Sequence, residues 1–326
     1  MENLDMRNGI MIAALGLATG IGSAGVDTTS NAALAYYRAW AGMDQGTQSV
    51  LQIEGDGVEL ADGGSELLAK SGGTIEALLD ASLMGTADWD IAYEDGPFAS
   101  LPHLGKMRTA SKILAADALR CAQDGQQADA AVRVAALYRM SGQVSGDRVL
   151  ISSLVGMAID NLANNLTTQL IDEHQLDAPG AKLVHTTIQE RGIEDRFAMR
   201  DAIVGEWRMI SEYILAHLPE IDPGTWVVEQ MNVATDAPPS KMIASMNRSQ
   251  ILLDLGGFSA YYGDVISAWD ADDGDALEAA ESKVQSGEYG PLTELLGATM
   301  TRAFASHQEF IDQTQSVLEL LEQVND

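Results

Sequence analysis

The segment from position 88 to position 103 is the richest in side chains that could do acid–base chemistry. Four carboxylates lie with the rings of Trp89 and Tyr93 within residues 88–95, and a histidine follows a Leu-Pro step. Hydrolysis of a glycosidic bond needs one carboxyl group as an acid and a second one as a base or nucleophile. The segment therefore indicates a glycan-type hydrolase as one candidate function. The candidate catalytic residues are Asp88, Asp90, Glu94, Asp95 and His103, beside Trp89 and Tyr93.

The same segment has the features of a connection between helices. Pro97 and Pro102 lack a backbone N–H and interrupt helical hydrogen bonding, so a helix is expected to begin just after Pro102. A glycosidase also needs its two carboxyl groups at a set separation, and no second carboxylate–aromatic cluster stands on a distant segment. An acidic connection whose rings pack on helices is therefore the favoured interpretation.

A candidate metal-binding loop lies between positions 270 and 281. The run D-A-D-D-G-D starts there, and a glutamate falls at position 12 of a calcium-binding loop. Gly274, however, occupies position 5, where a ligand is required, and an aspartate occupies position 6, where glycine must turn the chain. The run therefore predicts helix N-caps, and we expect neither a metal site nor a cofactor. The weak candidate ligands are Asp270, Asp272, Asp273, Asp275 and Glu281.

Other motifs of enzyme chemistry are incomplete. The five histidines are scattered, and neither H-E-x-x-H nor E-x-x-H occurs. The sequence also lacks the G-x-S-x-G elbow and the phosphate loop G-x-x-x-x-G-K-[ST]. Gly20, Gly22 and Gly25 match G-x-G-x-x-G, but a dinucleotide site needs a strand before this pattern and alternating strands and helices after it. The sequence therefore favours a binding or scaffold protein over an enzyme.

A cluster of charged residues between 190 and 212 is explained by helical spacing. On one helix face, Arg191 would meet Asp195 and Arg208 would meet Glu212, both at i, i+4. We expect a solvated face of ion pairs here.

The elements that must position all these residues are predicted to be helices. Small and apolar residues recur at three- and four-residue steps over 107–121 and over 131–138. Asp147 is expected to cap a central buried helix over 148–171. Aromatic residues make up only 6% of the chain, whereas Ala and Gly are plentiful, which indicates close-packed helices. The predicted fold class is all-α.

Two turns indicate helical hairpins. Gly125 to Ala130 and Gly274 to Ala279 both fit G-x-x-x-x-A, a pattern typical of hairpins of the tetratricopeptide (TPR) type. A regular 34-residue array would require the same residue type again at 159 and 193, but both positions are Ile. The sequence therefore predicts antiparallel, TPR-like hairpins in an irregular order.

One stretch of the chain resembles a group of uncharacterised exported α-helical bacterial proteins with TPR-like hairpins. The resemblance lies in DWDIAYEDGPFASLPHLGKMR followed by LISSLVGMAI, with a Trp–acid stretch, an L-P-H-L step and packed helices. It covers about residues 88–160. It implies a helical architecture and brings no known activity.

The first 25 residues are typical of an export signal. Residues 9–25 are uncharged, and Ser23-Ala24-Gly25 offers small residues for cleavage, although Glu2 and Asp5 precede the run. A retained anchor is the alternative, but the run is short and glycine-rich for a membrane span. We therefore expect a signal peptide at 1–25, a periplasmic or extracellular protein, and no integral membrane span after signal removal.

Two helical parts are expected after the signal. Residues 26–218 should form a helical domain with a loop-rich region at 44–105, and prolines mark 219–240 as a linker. Residues 241–326 should form a C-terminal helical subdomain. Within it, apolar residues over 296–324 repeat in heptads, which we expect to pack on their own domain. A homodimer through 292–324 is the alternative.

The net charge of −29 limits the choice of partners. Residues 1–105 carry −12, residues 106–208 carry −1 and residues 209–326 carry −16. Such a surface repels phosphate backbones, so we expect no nucleic-acid partner. The expected function is an exported helical binding or scaffold protein for a protein or peptide, with a basic partner favoured. The alternative is a glycan-type hydrolase that uses the 88–95 segment.

Overall fold

The fold is all-α, as the sequence predicts. A computed structural model describes residues 31–43, 50–54, 57–192, 196–231 and 236–325, and these ranges contain fourteen α-helices, one 3-10 helix and a two-stranded hairpin. None of the helices in them is both long and apolar enough to cross a lipid bilayer. The expected signal peptide at 1–25 lies outside the described residues, so export stays a prediction.

The elements follow one another along the chain in a simple order. The first part contains α1 (Ala32–Ala41), β1 (Leu51–Glu54), β2 (Gly57–Leu60), α2 (Gly64–Lys70), α3 (Gly72–Ser82), the 3-10 helix (Tyr93–Phe98), α4 (Pro102–Gln123), α5 (Gln127–Ser145) and α6 (Leu150–Asp172). The second part contains α7 (Ala178–Arg191), α8 (Met199–His217), α9 (Pro223–Gln230), α10 (Pro238–Ala244), α11 (Arg248–Asp270), α12 (Gly274–Gln285), α13 (Pro291–Leu296) and α14 (Thr301–Asn325).

A short antiparallel hairpin lies in the region predicted to be rich in loops. Leu51 pairs with Leu60, and Glu54 pairs with Gly57. Strands of four residues are too short to show a clear alternation in sequence, so the hairpin was not predicted. The backbone N–H of Val58 donates to Oε1 of Gln169 in α6 at 3.1 Å, which ties the hairpin to a long helix.

Helices α4, α5 and α6 pack against one another and supply much of the first core. Small residues allow α5 and α6 to approach closely. Ser141 Oγ donates to the carbonyl oxygen of Gly156 at 2.8 Å, and a Cβ at position 156 would overlap the Ser145 hydroxyl. These neighbours in sequence are neighbours in space, whereas the TPR-like detail of the arrangement stays a prediction.

The start of α6 differs from the prediction. Val149 is the N-cap residue, and the helix begins at Leu150. Asp147 Oδ2 instead lies 2.7 Å from His103 Nε2 and accepts a hydrogen bond from Ser152 Oγ at 2.9 Å. The prediction that Asp147 caps the helix is wrong, because its carboxylate binds two side chains and links α4 to α6.

The predicted face of solvated ion pairs is partly buried. Arg196, at the connection between α7 and α8, is fully buried, and both it and Arg191 bind the carboxylate of Asp160 in α6, at 2.8 and 2.9 Å. Burial lowers the pKa of Arg191 to about 10, and the charge of Asp160 opposes that shift. The predicted exposure is therefore wrong for these two arginines. Asp195, the expected partner of Arg191, lies outside the described residues.

The buried apolar residues form two large groups and one small one. The first group joins α1 to α7 with the end of α14, and the second joins α8 to α13. Helices α9 and α10 occupy the segment predicted to be a linker at 219–240, and Val227 and Ile243 are buried in the second group. The small group consists of Met157, Phe197 and Met199. The division into subdomains at 219–240 stays a prediction.

The C-terminal heptad seam packs within its own chain. Residues 297–300 separate α13 from α14, and the seam continues along α14 to the first core, where Val317 and Leu321 are buried. Asn164 Nδ2 of α6 donates to Thr314 Oγ1 of α14 at 3.1 Å. The second half of the seam thus packs on helices of the first core and not on the C-terminal subdomain, so the prediction is wrong for that half. A homodimer through 292–324 stays a prediction.

Candidate functional site

A cleft of about 940 Å³ lies where residues 87–93 face α8, and we call it the Asp88 cleft. Three segments line it: 87–93, the connection 146–148 between α5 and α6, and one side of α8 over 200–212. Its charged lining residues are Asp88, Asp147, Arg148, Arg200, Asp201, Arg208 and Glu212. The cleft therefore combines both signs of charge with the rings of Trp89 and Tyr93.

The side chain of Asn31 fixes the backbone at Asp88. Asn31 Oδ1 accepts a hydrogen bond from the Asp88 N–H, and Asn31 Nδ2 donates to the Asp88 carbonyl oxygen, both at 2.8 Å. Asn31 also caps α1 by accepting from the N–H of Ala33. The Asp88 carboxylate is exposed and accepts from the Asp90 N–H at 3.1 Å. A firmly held backbone thus presents this carboxylate to the cleft.

Trp89 anchors the same segment in the core. Its ring stacks on His103, with centroids 4.6 Å apart, and on Trp40 of α1, with centroids 5.7 Å apart. Its indole N–H donates to the carbonyl oxygen of Gln143 at 3.3 Å. The side chain of Gln143 in turn accepts from the Tyr36 hydroxyl at 2.6 Å. Stacked rings and buried hydrogen bonds therefore hold this wall of the cleft in one position.

Asp147 connects the cleft to the buried ring stack. Besides the contacts of its carboxylate with His103 and Ser152, its carbonyl oxygen accepts a hydrogen bond from the Tyr93 hydroxyl. Burial, and secondly the negative charge of Asp147, raise the pKa of Tyr93. Tyr93 is therefore a protonated donor at neutral pH, and it ties the 87–93 segment to the α5–α6 connection.

The next residue, Arg148, has an unusual backbone conformation. Its φ is +57°, a left-handed value that is uncommon for residues other than glycine. The side chain is exposed and lines the cleft. Such conformations persist where the surrounding contacts hold them, and they cluster at functional sites. Here the contacts of Asp147 hold the chain on one side, and the start of α6 holds it on the other.

Two of the three arginines in the cleft have no ion-pair partner in the described part of the chain. Arg200 binds Asp270 through two hydrogen bonds of 2.6 and 3.0 Å. By contrast, no carboxylate oxygen of the described residues lies within 4.0 Å of the Arg148 or Arg208 guanidinium. The predicted pair of Arg208 with Glu212 is therefore wrong. Both residues are exposed and line the cleft.

A smaller groove of about 290 Å³ adjoins the cleft, and we call it the Pro97 groove. It is mostly apolar. Its lining residues are Gly96, Pro97, Ala99, Leu101, Val149, Leu150, Ile151, Leu154, Glu206 and Met209. Burial raises the pKa of Glu206, and a hydrogen bond from the backbone of Leu150 partly lowers it.

The structure separates the residues predicted to be catalytic. Asp88 lines both the cleft and a neighbouring depression, and Asp90 lines only that depression, with Leu34 and Tyr37. Glu94 and Asp95 are exposed on the 3-10 helix and line neither the cleft nor the Pro97 groove. His103 is only 1% exposed and lies behind Trp89. Asp88 is thus the member of the predicted set that reaches the cleft.

The candidate metal ligands between 270 and 281 bind separate partners within the protein. Asp270 binds Arg200, Asp272 accepts from Gln308 Nε2 at 2.6 Å, and Glu281 accepts from the backbone N–H of Thr301. Asp273 is the N-cap of α12 and accepts from the Ala276 N–H. Across the described ranges, no group of three or more His, Cys, Asp or Glu side chains is arranged to hold a metal ion.

The cleft residues that the sequence did not connect to Asp88 are Arg148, Arg208, Asp201 and Glu212. Arg148 lies in a loop, whereas the other three residues lie on α8, 53 or more positions further along the chain. No local sequence motif therefore connects them. One signal was present: the central third of the chain is almost neutral between two acidic flanks. Twelve of the 19 Lys and Arg residues lie in that third, which indicates that an exposed basic feature would be found there.

A second large cavity, of about 1120 Å³, lies between α6 and α14. Asp172, Glu173, Glu309 and Asp312 line it, together with several amide side chains and no Lys or Arg. These acids stand on exposed helix faces, where solubility alone accounts for them. The Asp88 cleft is the stronger candidate because a buried network fixes its walls.

Comparisons of the chain with protein-family models, with curated proteins and with solved structures give no match.

Proposed function

We propose that this protein is an exported binding protein whose ligand carries an anionic group that enters the Asp88 cleft. The observation that carries the proposal is the pair of exposed arginines, Arg148 and Arg208, on one cleft of a chain with a net charge of −29. Arg38, Arg108 and Arg302 also lack an ion-pair partner among the described residues, so the feature that distinguishes Arg148 and Arg208 is that both line one cleft. A ligand carboxylate or phosphate would supply the missing partner.

Guanidinium groups suit this role for a physical reason. Arginine presents a planar set of N–H donors that match the geometry of carboxylate and phosphate oxygens. The cleft lining carries four acidic residues against three arginines and would repel a ligand that is negatively charged throughout, so the ligand should also carry hydrogen-bond donors or a positive group. Asp88, Asp201 and Glu212 line the cleft and could accept from these donors. This combination also agrees with the expected preference for a partner with basic groups.

Isothermal titration with acetate, succinate, inorganic phosphate and glucuronate tests the proposal. We expect at least one of these anions to bind and Arg208→Ala to weaken that binding about tenfold or more, because a hydrogen bond to a charged group contributes about 1.5–3 kcal/mol. The matched control is Arg302→Ala, an exposed arginine on α14 outside the cleft. An equal loss in both variants, or no binding of any anion, would refute the proposal.

A glycan-type hydrolase is the second candidate, and one observation favours it. The cleft places Asp88 with Asp201 and Glu212, which are carboxylates from a distant segment that the sequence alone did not connect to it. Chromogenic glycosides of several sugars test this candidate with wild type, Asp88→Asn and Asp201→Asn. Turnover by the wild type that both variants lose would support hydrolysis, and no turnover by the wild type leaves binding.

A further inference from the structure

The proposed anion site can be extended to a ligand class. We infer that the ligand is a peptide with a free C-terminus, whose carboxylate binds Arg148 and Arg208 and whose apolar last side chain fills the Pro97 groove. The inference rests on the proposed function, since it takes the arginine pair as the anion site. Beyond the proposed function, the inference uses the neighbouring Pro97 groove and the carboxylates that line the cleft.

The groove begins where the cleft ends. Arg148 lines the cleft and the next residue, Val149, lines the groove, while Met209 lines both. In α8, Gly205 likewise lines the cleft and the next residue, Glu206, lines the groove. Consecutive Cα atoms lie about 3.8 Å apart, so the two cavities are within one residue of each other. A C-terminal residue carries its carboxylate and its side chain on one Cα atom, which suits this spacing.

The groove offers apolar surface that is open to solvent. Ile151 and Leu154 line it and are 47% and 41% exposed, and Phe98 of the 3-10 helix beside it is 49% exposed. Large apolar side chains that are exposed together mark binding surfaces more often than single ones do. The groove can therefore contribute affinity through burial of an apolar side chain.

The volume and the polar lining favour a peptide over a long-chain carboxylate. About 290 Å³ is below the usual range for sites of drug-sized ligands and suits a single side chain. The carboxylates of Asp88, Asp201 and Glu212 are acceptors, which peptide N–H groups or a basic side chain can satisfy. An alkyl chain has no donors for them.

Fluorescence anisotropy with labelled hexapeptides tests the inference. The probes are Gly-Ser-Lys-Ala-Gly-Leu with a free C-terminus, the same peptide as its C-terminal amide, and the free acid ending in Gly in place of Leu. We expect the Leu free acid to bind at least about tenfold more tightly than either of the other two. Unlabelled decanoate serves as a competitor.

Variants at exposed positions separate the two parts of the site. Arg208→Ala should remove the preference for the free acid, and Ile151→Asp should remove the preference for Leu. The matched control, Leu253→Asp, changes an 80% exposed leucine of α11 outside both cavities and should bind like the wild type.

Each other outcome overturns the inference in a recognisable way. A preference for the free acid without a preference for Leu refutes the groove and leaves the proposed function standing. No preference for the free acid refutes the peptide carboxylate as the ligand group, and the titration with small anions then decides the proposed function separately. If decanoate displaces the peptide, and if its binding depends on Ile151 and Arg208 in the same way, the inferred ligand is an amphiphile and not a peptide. An equal loss in Leu253→Asp shows that the apolar contact is unspecific.

Discussion

Gly205 of α8 packs directly against the backbone carbonyl group of Arg148, so closely that a Cβ at position 205 would overlap that oxygen. Arg208 lies about one helical turn further along α8. The two arginines of the Asp88 cleft are therefore positioned by a contact between a helix and a loop backbone. Only glycine allows this approach.

Replacing Gly205 with Ala should separate α8 from the α5–α6 connection. Because the overlapping atom belongs to the backbone, we expect a loss of about 1–3 kcal/mol in the free energy of unfolding and weaker binding of anions. Urea unfolding measures the first effect. The control is Gly256→Ala in α11, where a Cβ would meet nothing within 4 Å. This substitution should stabilise the protein by about 0.5–1 kcal/mol, because alanine favours the helix more than glycine does. Wild-type stability of Gly205→Ala would contradict this interpretation.

The buried pair of His103 and Asp147 should be important for stability. Asp147→Asn keeps the size of the side chain but weakens its contacts with His103 and Ser152. We expect a loss of about 1–3 kcal/mol in urea unfolding, because buried polar atoms would be left poorly paired. Asp124→Asn is the control. It removes an exposed carboxylate that pairs with Arg120 and should change stability by less than about 1 kcal/mol.

His307 should make the protein sensitive to acid. Both of its ring nitrogens are buried, between Trp269 and Phe197, and neither has a hydrogen-bond partner among the residues that the structure describes. Burial lowers its pKa, and the charge of Asp272 opposes that shift. The unfolded chain therefore takes up this proton more readily than the folded protein. The contribution of His307 to stability is complete above about pH 6.5 and is lost as the pH falls from there through the lower folded pKa.

His307→Phe should remove that part of the acid sensitivity. We expect the free energy of unfolding to fall less between pH 7.5 and pH 5.5 in the variant than in the wild type, measured by urea unfolding. His174→Asn changes an exposed histidine with a positive φ, which asparagine tolerates, and should keep the slope of the wild type. An unchanged slope in His307→Phe would count against a neutral, buried His307.

Glu206 should have the opposite dependence on pH. Because burial raises its pKa in the folded state, its contribution to stability is present below the unfolded value of about 4.3 and is lost as the pH rises through the folded pKa. Glu206→Gln stays neutral and can still accept from the backbone of Leu150. We expect a higher Tm than the wild type at pH 7 and an equal one at pH 4. Glu319→Gln, on an exposed face of α14, should differ from the wild type at neither pH.

Helix positions could be predicted from the sequence where local signals are strong. Pro102 occupies the first turn of α4, where its missing N–H is not needed, and Gly192 ends α7 with a φ of +72°. Both effects depend on the residue itself and its immediate neighbours. The hairpin at 51–60 has no such signal, and it was missed.

The candidate site could be predicted only in part. Asp88 was found because it stands in an acidic run, but its neighbours in the cleft come from the α5–α6 connection and from α8. Their meeting depends on packing, such as the contact of Gly205 with Arg148, which no local pattern encodes. Asp147 was assigned to the wrong partner for the same reason. A helix cap is a local interaction, whereas its actual partner His103 is 44 positions away.

The parallel rings of Trp40 and Trp89 have a consequence for optical measurements. Their planes differ by only 6° at a centroid distance of 5.7 Å, so the ultraviolet circular dichroism of the two indole rings depends on their relative arrangement. Trp89 is the immediate neighbour of Asp88. The protein thus carries two native chromophores that show, without any added label, whether this wall keeps its native geometry when a molecule arrives.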